Sequence, residues 1–173
     1  MRILAISGSL QARSANLTLL QTAAASAPKG VTVVAFDGLR DLPHFDPDLE
    51  AGPDAGERLS PVRAWRSAVA ESDGLLIASP EYAHSLPGVL KNGIDWLVGS
   101  GELERKVVAI TAAVPSADRG RGGLKALRDT LGAVSARIVG GEPIARGPSF
   151  ERDAASLLQA LVRAIDEATT PHE

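Results

Sequence analysis

Five short apolar runs, at residues 2–6, 31–36, 74–78, 107–112 and 136–139, alternate with five stretches of helical length and periodicity at 14–25, 60–71, 87–98, 122–134 and 151–168. No other feature of the chain constrains its fold as tightly. Each crossover between parallel strands needs a helix, and a sheet made of such units must be covered on both faces. The run Val31-Thr32-Val33-Val34-Ala35-Phe36 is close to continuously apolar, which fits burial from both sides better than half-exposed alternation does. The expected architecture is α/β: a doubly wound, five-stranded parallel sheet of order 2-1-3-4-5 in three α/β/α layers. With 173 residues and 45% hydrophobic content, one domain over 1–173 can bury a core unaided by disulfides or a structural metal.

The chain has no cysteine. Disulfides, thiolate zinc sites, iron–sulfur clusters and a cysteine nucleophile are excluded together, so redox chemistry would have to come from a bound cofactor. The opening Met1-Arg2-Ile3-Leu4-Ala5-Ile6-Ser7-Gly8 stops short of a secretory apolar region, and no later run nears the ~20 residues of a membrane span. A soluble, cytoplasmic protein without a membrane partner is expected, and Asn16-Leu17-Thr18 then carries no weight as a glycosylation site. A net charge of −3 without any basic run argues against nucleic acid as a partner. It is also a mild charge for a carrier that docks on basic partners.

Function concentrates in the turns that follow the first, third and fourth strands, all at the carboxyl edge of such a sheet. After the first strand, Gly8-Ser9-Leu10-Gln11-Ala12-Arg13-Ser14-Ala15-Asn16 opens a helix. A helix start offers unpaired N–H groups and about half a unit of positive charge, and Ser9, Ser14 and Asn16 add side-chain donors. A phosphate suits this turn; the plainer reading, with Ser14 as a helix cap and the rest as turn chemistry, stands beside it. Neither G-x-x-x-x-G-K-[ST] nor G-x-G-x-x-G is present, which points away from a Walker-type nucleotidase or a Rossmann dinucleotide domain and towards a mononucleotide.

The third strand delivers Ser79-Pro80-Glu81-Tyr82-Ala83-His84-Ser85-Leu86-Pro87-Gly88-Val89-Leu90-Lys91-Asn92-Gly93-Ile94-Asp95-Trp96. Pro80 fixes its own φ and biases Ser79 towards extended geometry, so the peptide groups past the strand point in set directions and can read the rim of a flat ring. Glu81 either meets a ligand or satisfies nearby backbone N–H groups; Tyr82, the one tyrosine, either lies against a ring or anchors the loop. His84 invites an acid–base role, yet a lone loop histidine is more often a packing or surface residue. In the helix beyond, Leu90, Ile94, Leu97 and Val98 recur at helical spacing and should face the sheet, leaving Lys91, Asn92 and Asp95 elsewhere. Trp96 reads as core or subunit contact. After the fourth strand, residues 111–123 hold three glycines with Arg119 and Arg121, a flexible and positive lip beside the site. Residues 37–57, rich in Pro, Asp and Gly, read as a surface excursion.

The eighteen residues from Ser79 to Trp96 resemble the flavin-contacting segment of the NAD(P)H-dependent FMN reductases, flavodoxin-like quinone, chromate and azo-dye reductases. Their pattern is close to Ser-Pro-Glu-Tyr-Asn-x-Ser-x-Pro-Gly-x-Leu-Lys-Asn-x-Ile-Asp-Trp. Ala83 departs from it, standing where the family usually has Asn. The first turn resembles the family's phosphate segment, Gly-Ser-x-Arg-x-x-Ser-x-Asn, with Ser9, Ser14 and Asn16 matching and Gln11 replacing Arg; Arg13 is placed to supply that charge instead. Gly122-Gly123 resembles the family's Gly-Gly before its fourth helix.

The resemblance implies a flavodoxin-like fold and an FMN cofactor. Its phosphate would be held by the first turn (Ser9, Gln11, Arg13, Ser14, Asn16) and its ring by Pro80, Glu81, Tyr82 and Ala83, with Ser116 at the third loop. It further implies hydride transfer from NADPH or NADH to FMN and on to a small-molecule acceptor such as a quinone, flavin, chromate or azo compound. The flavin would do the chemistry, so no catalytic side chain and no metal are expected, and a homodimer or homotetramer would complete the pocket. A flavodoxin-like electron carrier that does not oxidise NAD(P)H is the alternative.

Overall fold

A computed structural model of the chain describes residues 1–51 and 55–170. Part of the excursion, 52–54, and the last three residues lie outside that range. The chain begins with β1 (Arg2–Ser7), α1 (Ala15–Ala25) and β2 (Thr32–Phe36). A 3-10 turn (Gly38–Asp41) and two four-residue helices, α2 (Asp48–Ala51) and α3 (Ala55–Arg58), then fill the excursion. Next come α4 (Ser60–Ala70), β3 (Gly74–Ala78), α5 (Gly88–Val98), β4 (Val107–Thr111) and β5 (Ala113–Val114). The chain closes with α6 (Arg121–Ala133), β6 (Arg137–Gly140), β7 (Ile144–Ala145) and α7 (Phe150–Thr169).

The main sheet is parallel and runs β2-β1-β3-β4-β6. Counting its five members in chain order, this is the 2-1-3-4-5 arrangement expected from the alternation. The periodicity missed a second, two-stranded sheet in which Ala113 pairs with Ile144 and Val114 with Ala145. Two-residue strands are too short to show a period.

Burial follows position in the sheet. Every residue of β3 and β4, the inner strands beside the switch in strand order, is buried, as continuous apolar runs require. The run at 31–36 is no less apolar, yet β2 is an edge strand and only half-buried. Its composition suggested burial on both faces; its place at the margin leaves one side without a neighbour.

Two cores sandwich the sheet. Leu4, Ile6, Leu75, Ile77 and Val108 face α4, α5 and α6, where Trp65, Ile94, Trp96 and Leu127 meet them. Ile3, Ala5, Leu76 and Ala109 face α1 and α7, against Leu19, Leu158 and Leu161. Val98 does not join the sheet-facing set. At 58% exposure it lies past the buried stripe of Leu90, Ile94 and Leu97, at the last position of α5.

Aligned this way, the strands bring three turns to one rim. Gly8 N donates to Ala78 O at 2.9 Å and Ser79 N to Thr111 O at 2.9 Å, so the first turn leans on the second and the second on the third. Gly8 sits so close that a Cβ there would lie 2.9 Å from Ser79 Oγ. A larger residue there would push Ser79 and Leu90 aside, so glycine favours the close approach of the two turns.

Candidate functional site

The first turn is held lightly. Ser9 N donates to Ser7 Oγ, Ser7 Oγ to Ser9 O and Gln11 N to Ser9 Oγ, each at 3.2 Å, and Gln11, Ala12 and Arg13 are exposed. Ser14 is the N-cap of α1, with extended backbone and an Oγ that accepts from Asn16 N. The first backbone bond of the helix runs from Thr18 N to Ser14 O. The earlier amides, those of Ala15 and Leu17 among them, have no intrahelical acceptor by geometry. No carboxylate occurs between Ser7 and Leu17. A half-buried hydroxyl on Ser9 with the exposed carboxamide and guanidinium groups of Gln11 and Arg13 beside a helix start makes a donor set that fits a phosphate.

Two of the expected phosphate residues stand differently from the sequence reading. Asn16 is buried, and its Oδ1 accepts from Ala113 N at 2.8 Å, which ties α1 to β5. Its carbonyl end is spent on the scaffold. Arg13 opens onto a cavity of about 640 Å³ with Thr18, Arg146 and Phe150, while Ser9 and Gln11 line a different cavity of about 410 Å³ towards β2. The structure therefore does not bring Arg13 to the side where Gln11 stands in place of an arginine.

The second turn is built more firmly. Tyr82 and Ser85 exchange both backbone hydrogen bonds, at 3.0 and 2.9 Å, across a tight turn whose central residues, Ala83 and His84, have φ of 49° and 61°. Both are left-handed positions occupied by residues with a Cβ, which costs roughly 1–2 kcal/mol each. Tyr82 projects from this turn with 54% of its surface exposed. Its side chain is displayed rather than packed.

Glu81 is bonded to backbone. Its Oε2 accepts from Gly123 N at 2.8 Å, at the start of α6. That bond, with help from His84 and Gly122 N, holds its carboxyl below the ordinary value of 4.5 against the opposing effect of burial. His84 Nδ1 lies 3.2 Å from Glu81 Oε1 while 94% of the imidazole faces solvent. Glu81 satisfies backbone, and His84 leans on it.

The same contact explains the glycine pair. A Cβ on Gly123 would fall 3.0 Å from Glu81 Cα and Cβ, and one on Gly122 would fall 3.0 Å from Glu81 Oε2. Their absence lets the carboxylate reach the helix start. A glycine pair opening a helix, together with a carboxylate on the neighbouring turn, was the signal from which the clamp could have been inferred.

The rest of the long motif braces the excursion. Asn92 Nδ2 and Trp96 Nε1 both donate to Pro43 O, at 2.9 and 2.8 Å, and Asn92 Oδ1 accepts from Phe45 N at 2.8 Å. Phe45 also meets Trp96 edge-on with centroids 5.1 Å apart. Trp65 Nε1 donates to Gly93 O at 2.8 Å, and a Cβ on Gly93 would strike Leu39 at 2.9 Å. Lys91 pairs with Asp95 one turn on. Trp96 is core.

The third turn is less open than its glycines suggest. Arg121 pairs with Glu142 at 2.9 Å, Gly120 takes a left-handed φ of 82° as the N-cap of α6, and β5 pairs with β7. Ser116 faces its own turn: its hydroxyl bonds the Asp118 carboxylate, which is the main reason that carboxyl sits below its ordinary value, and its carbonyl accepts from Arg119 N. Pro80 is half-buried at the centre of the rim, with its carbonyl accepting from Ser79 Oγ at 3.2 Å. Among the described residues no cluster of His, Asp or Glu could hold a metal, and no helix is long and apolar enough to cross a membrane.

A five-stranded doubly wound sheet with a phosphate-type first turn and a rigid second turn at the switch in strand order defines a flavodoxin-like nucleotide-binding protein. Within that class, the chain belongs to the NADPH-dependent FMN reductase family, whose model matches residues 1–148. An NAD(P)H-dependent FMN reductase of Pseudomonas aeruginosa is 37% identical over 124 residues, 70% of this chain and 62% of that protein. A quinone reductase of Escherichia coli K12 is 35% identical over 97 residues, 56% of this chain and 50% of that protein. The matched stretch thus spans about half to three-fifths of these relatives' lengths. In fold, the chain is similar to the flavoenzyme NAD(P)H:(acceptor) oxidoreductase of Paracoccus denitrificans, with a TM-score of 0.81 at 23% identity over 96% of this chain and 98% of that one. An azoreductase of Bacillus anthracis gives 0.65 at 18% identity over 97% and 98%.

Proposed function

We propose that this chain is an FMN-dependent NAD(P)H oxidoreductase of one domain. It would take hydride from NADPH or NADH onto FMN and deliver the electrons to a small acceptor such as a quinone, flavin, chromate or azo compound. The observation that carries this reading is the meeting, at one rim, of a carboxylate-free donor turn and a stiff turn that displays Tyr82.

When bound, the flavin supplies the redox chemistry. The chain's own part is binding and orientation. Ser9 Oγ, Gln11, the Ser14-capped start of α1 and its first amides hold the phosphate, which fixes the cofactor's depth along the rim. The peptide groups of Pro80 to Ala83, set by the proline and by the Tyr82–Ser85 hydrogen-bond pair, meet the edge of the ring, and Tyr82 its face. The bond from Gly123 N to Glu81 supports a role for Glu81 in positioning the turn. Ser116 would contribute at the third turn through backbone, since its hydroxyl is already bonded. This reading assigns no dedicated acid or base to the rim, since the flavin carries the hydride. A second copy would cover the exposed Tyr82, in a homodimer or homotetramer, and a chain that draws on NAD(P)H would work in the cytoplasm.

The test is the visible spectrum of the protein purified and loaded with FMN, followed by anaerobic NADPH or NADH and then a benzoquinone. Bleaching on donor and recovery on quinone is the expected result. A yellow protein that keeps its colour with both donors would be a carrier, and one that stays colourless after FMN would be neither. Sedimentation of the loaded protein reads the subunit number.

A further inference from the structure

On the far flank of the first turn, the cavity of about 640 Å³ opens beside the starts of α1 and α7, within the roughly 300–1,000 Å³ usual for small-ligand sites. It shares no lining residue with the cavity of Ser9 and Gln11, and its side chains are none of those given to the flavin phosphate. Two cations reach it from distant parts of the chain. Arg13 stands in the first turn, one residue before the cap of α1. Arg146 follows β7, and its N–H donates to Val114 O at 2.9 Å, which ties it to the third turn. The helices behind them, α1 and α7, pack against each other, so the two arginines are held on one side of the rim.

Neither guanidinium is spent on the fold. Among the described residues, the side chains of Arg13 and Arg146 make no hydrogen bond or ion pair, whereas Arg2, Arg121 and Arg152 pair with carboxylates and Arg40 and Arg128 with backbone carbonyls. Two like charges on one cavity gain from an anion between them, and guanidinium groups match phosphate oxygens well. Glu151 is the single carboxylate on the wall and pairs with neither arginine, so two positive charges against one negative leave the cavity positive. Asp37 and Asp41 line the other cavity. The rest of the wall suits a nucleoside: Pro148 and the half-buried Phe150 offer apolar surface. Thr18 Oγ1 donates to Ser14 O at 3.3 Å, which leaves its lone pairs for a hydroxyl or amino group.

From this we infer that the cavity receives the adenosine 2′-phosphate of NADPH between Arg13 and Arg146, with adenine against Phe150 and Pro148, and that the chain takes NADPH in preference to NADH. The 2′-phosphate is a terminal monoester with about two negative charges near neutral pH, so it gains from both arginines at once. NADH carries a hydroxyl at that position and would leave both guanidinium groups to water. The third turn, joined to Arg146 through Val114, leads from the rim to the cavity, so a donor whose nicotinamide lies on the flavin can run along it. The flavin phosphate keeps Ser9 and Gln11 on the opposite flank, and no group is asked to hold two phosphates. A free phosphate ion would meet the same arginines but leave the apolar wall unused.

The inference rests on the proposed oxidoreductase reading, and the test separates the two. Arg146→Ala and Arg13→Ala each remove one guanidinium from an exposed position, and should one variant fail to fold, the other reads the same cavity. With FMN-loaded protein, the wild type should show a KM for NADPH about tenfold below that for NADH. Each variant should raise the NADPH value about tenfold with kcat unchanged, and leave the NADH value and the affinity for FMN as in the wild type. Arg146→Lys, which keeps the charge, should recover part of the loss. By calorimetry, adenosine 2′,5′-bisphosphate should bind the wild type more tightly than 5′-AMP or inorganic phosphate does, and bind both alanine variants about tenfold more weakly. Equal KM for the two donors in the wild type, parallel rises for both in the variants, or inorganic phosphate binding as tightly as the bisphosphate would each overturn the assignment. Weaker FMN binding in either variant would also overturn it, by giving the cavity to the flavin. If neither donor is oxidised but the bisphosphate binds and its binding falls in both variants, the cavity assignment stands and the oxidoreductase reading falls.

Discussion

Between β1 and α1 the polar groups touch one another at 3.2 Å and are half-buried or exposed, while between β3 and α5 they are locked by bonds of 2.8 to 3.0 Å to a second helix and to each other. Both turns match the same family at the residue level, yet for different physical reasons. In the first, Ser9 and the Ser14-capped helix start keep donors available for a guest, while Asn16 is tied to Ala113. In the second, most of them hold the scaffold: Glu81 clamps α6, Asn92 and Trp96 hold Pro43, and the glycines make room. A motif can therefore mark a binding site while most of its letters serve the frame around it.

That contrast can be broken most sharply at Trp96. Trp96→Ala empties a fully buried site and removes one of the two donors to Pro43 O, so urea unfolding of the flavin-free protein should show a loss of about 3–5 kcal/mol. A loss under 1 kcal/mol would mean that the helix half of the motif is not a brace. The first turn should behave in the opposite way. Gln11→Arg restores a charge-assisted phosphate contact, and FMN should bind about tenfold tighter, roughly 1.4 kcal/mol, with the stability of the ligand-free protein unmoved. Fluorescence titration and a melt read the two quantities separately.

A smaller effect is expected at Ala83. Asn tolerates left-handed backbone better than Ala, so Ala83→Asn should stabilise the protein by about 0.5–1 kcal/mol in denaturant titration. Destabilisation there would show that the turn relaxes out of positive φ. The smallest effect concerns acid. Because the folded Glu81 carboxyl lies below 4.5, its contribution to stability is complete above that pH and disappears as pH falls through the folded value. Glu81→Gln should lose stability at neutral pH and lack that part of the acid slope; identical slopes for the two proteins between pH 5 and 3 would remove the clamp from the account.

The strand order was legible because the apolar runs at 2–6, 74–78 and 107–112 are periodic at a scale the sheet imposes. The first turn was legible because donors at a helix start read the same in sequence and in space. Burial of β2 was misjudged because composition does not record which strand ends at the margin. The bond from Asn16 to Ala113 escaped because it joins groups far apart in the chain, and nothing in local spacing encodes such a meeting. Arg13 shows the converse. Its nearness to Gln11 in sequence suggested a substitute charge, yet it lines the cavity with Thr18 and Arg146 and not the one with Gln11.

One bond described above reaches further than its size suggests. The Asn16 carboxamide, sunk in the protein at the start of α1, grips the first residue of the small two-stranded ribbon, and Ile144 completes that ribbon from the far end of the sheet. The rim is thereby a closed hoop, not three independent fingers. Whatever seats itself at the first turn tugs on the last.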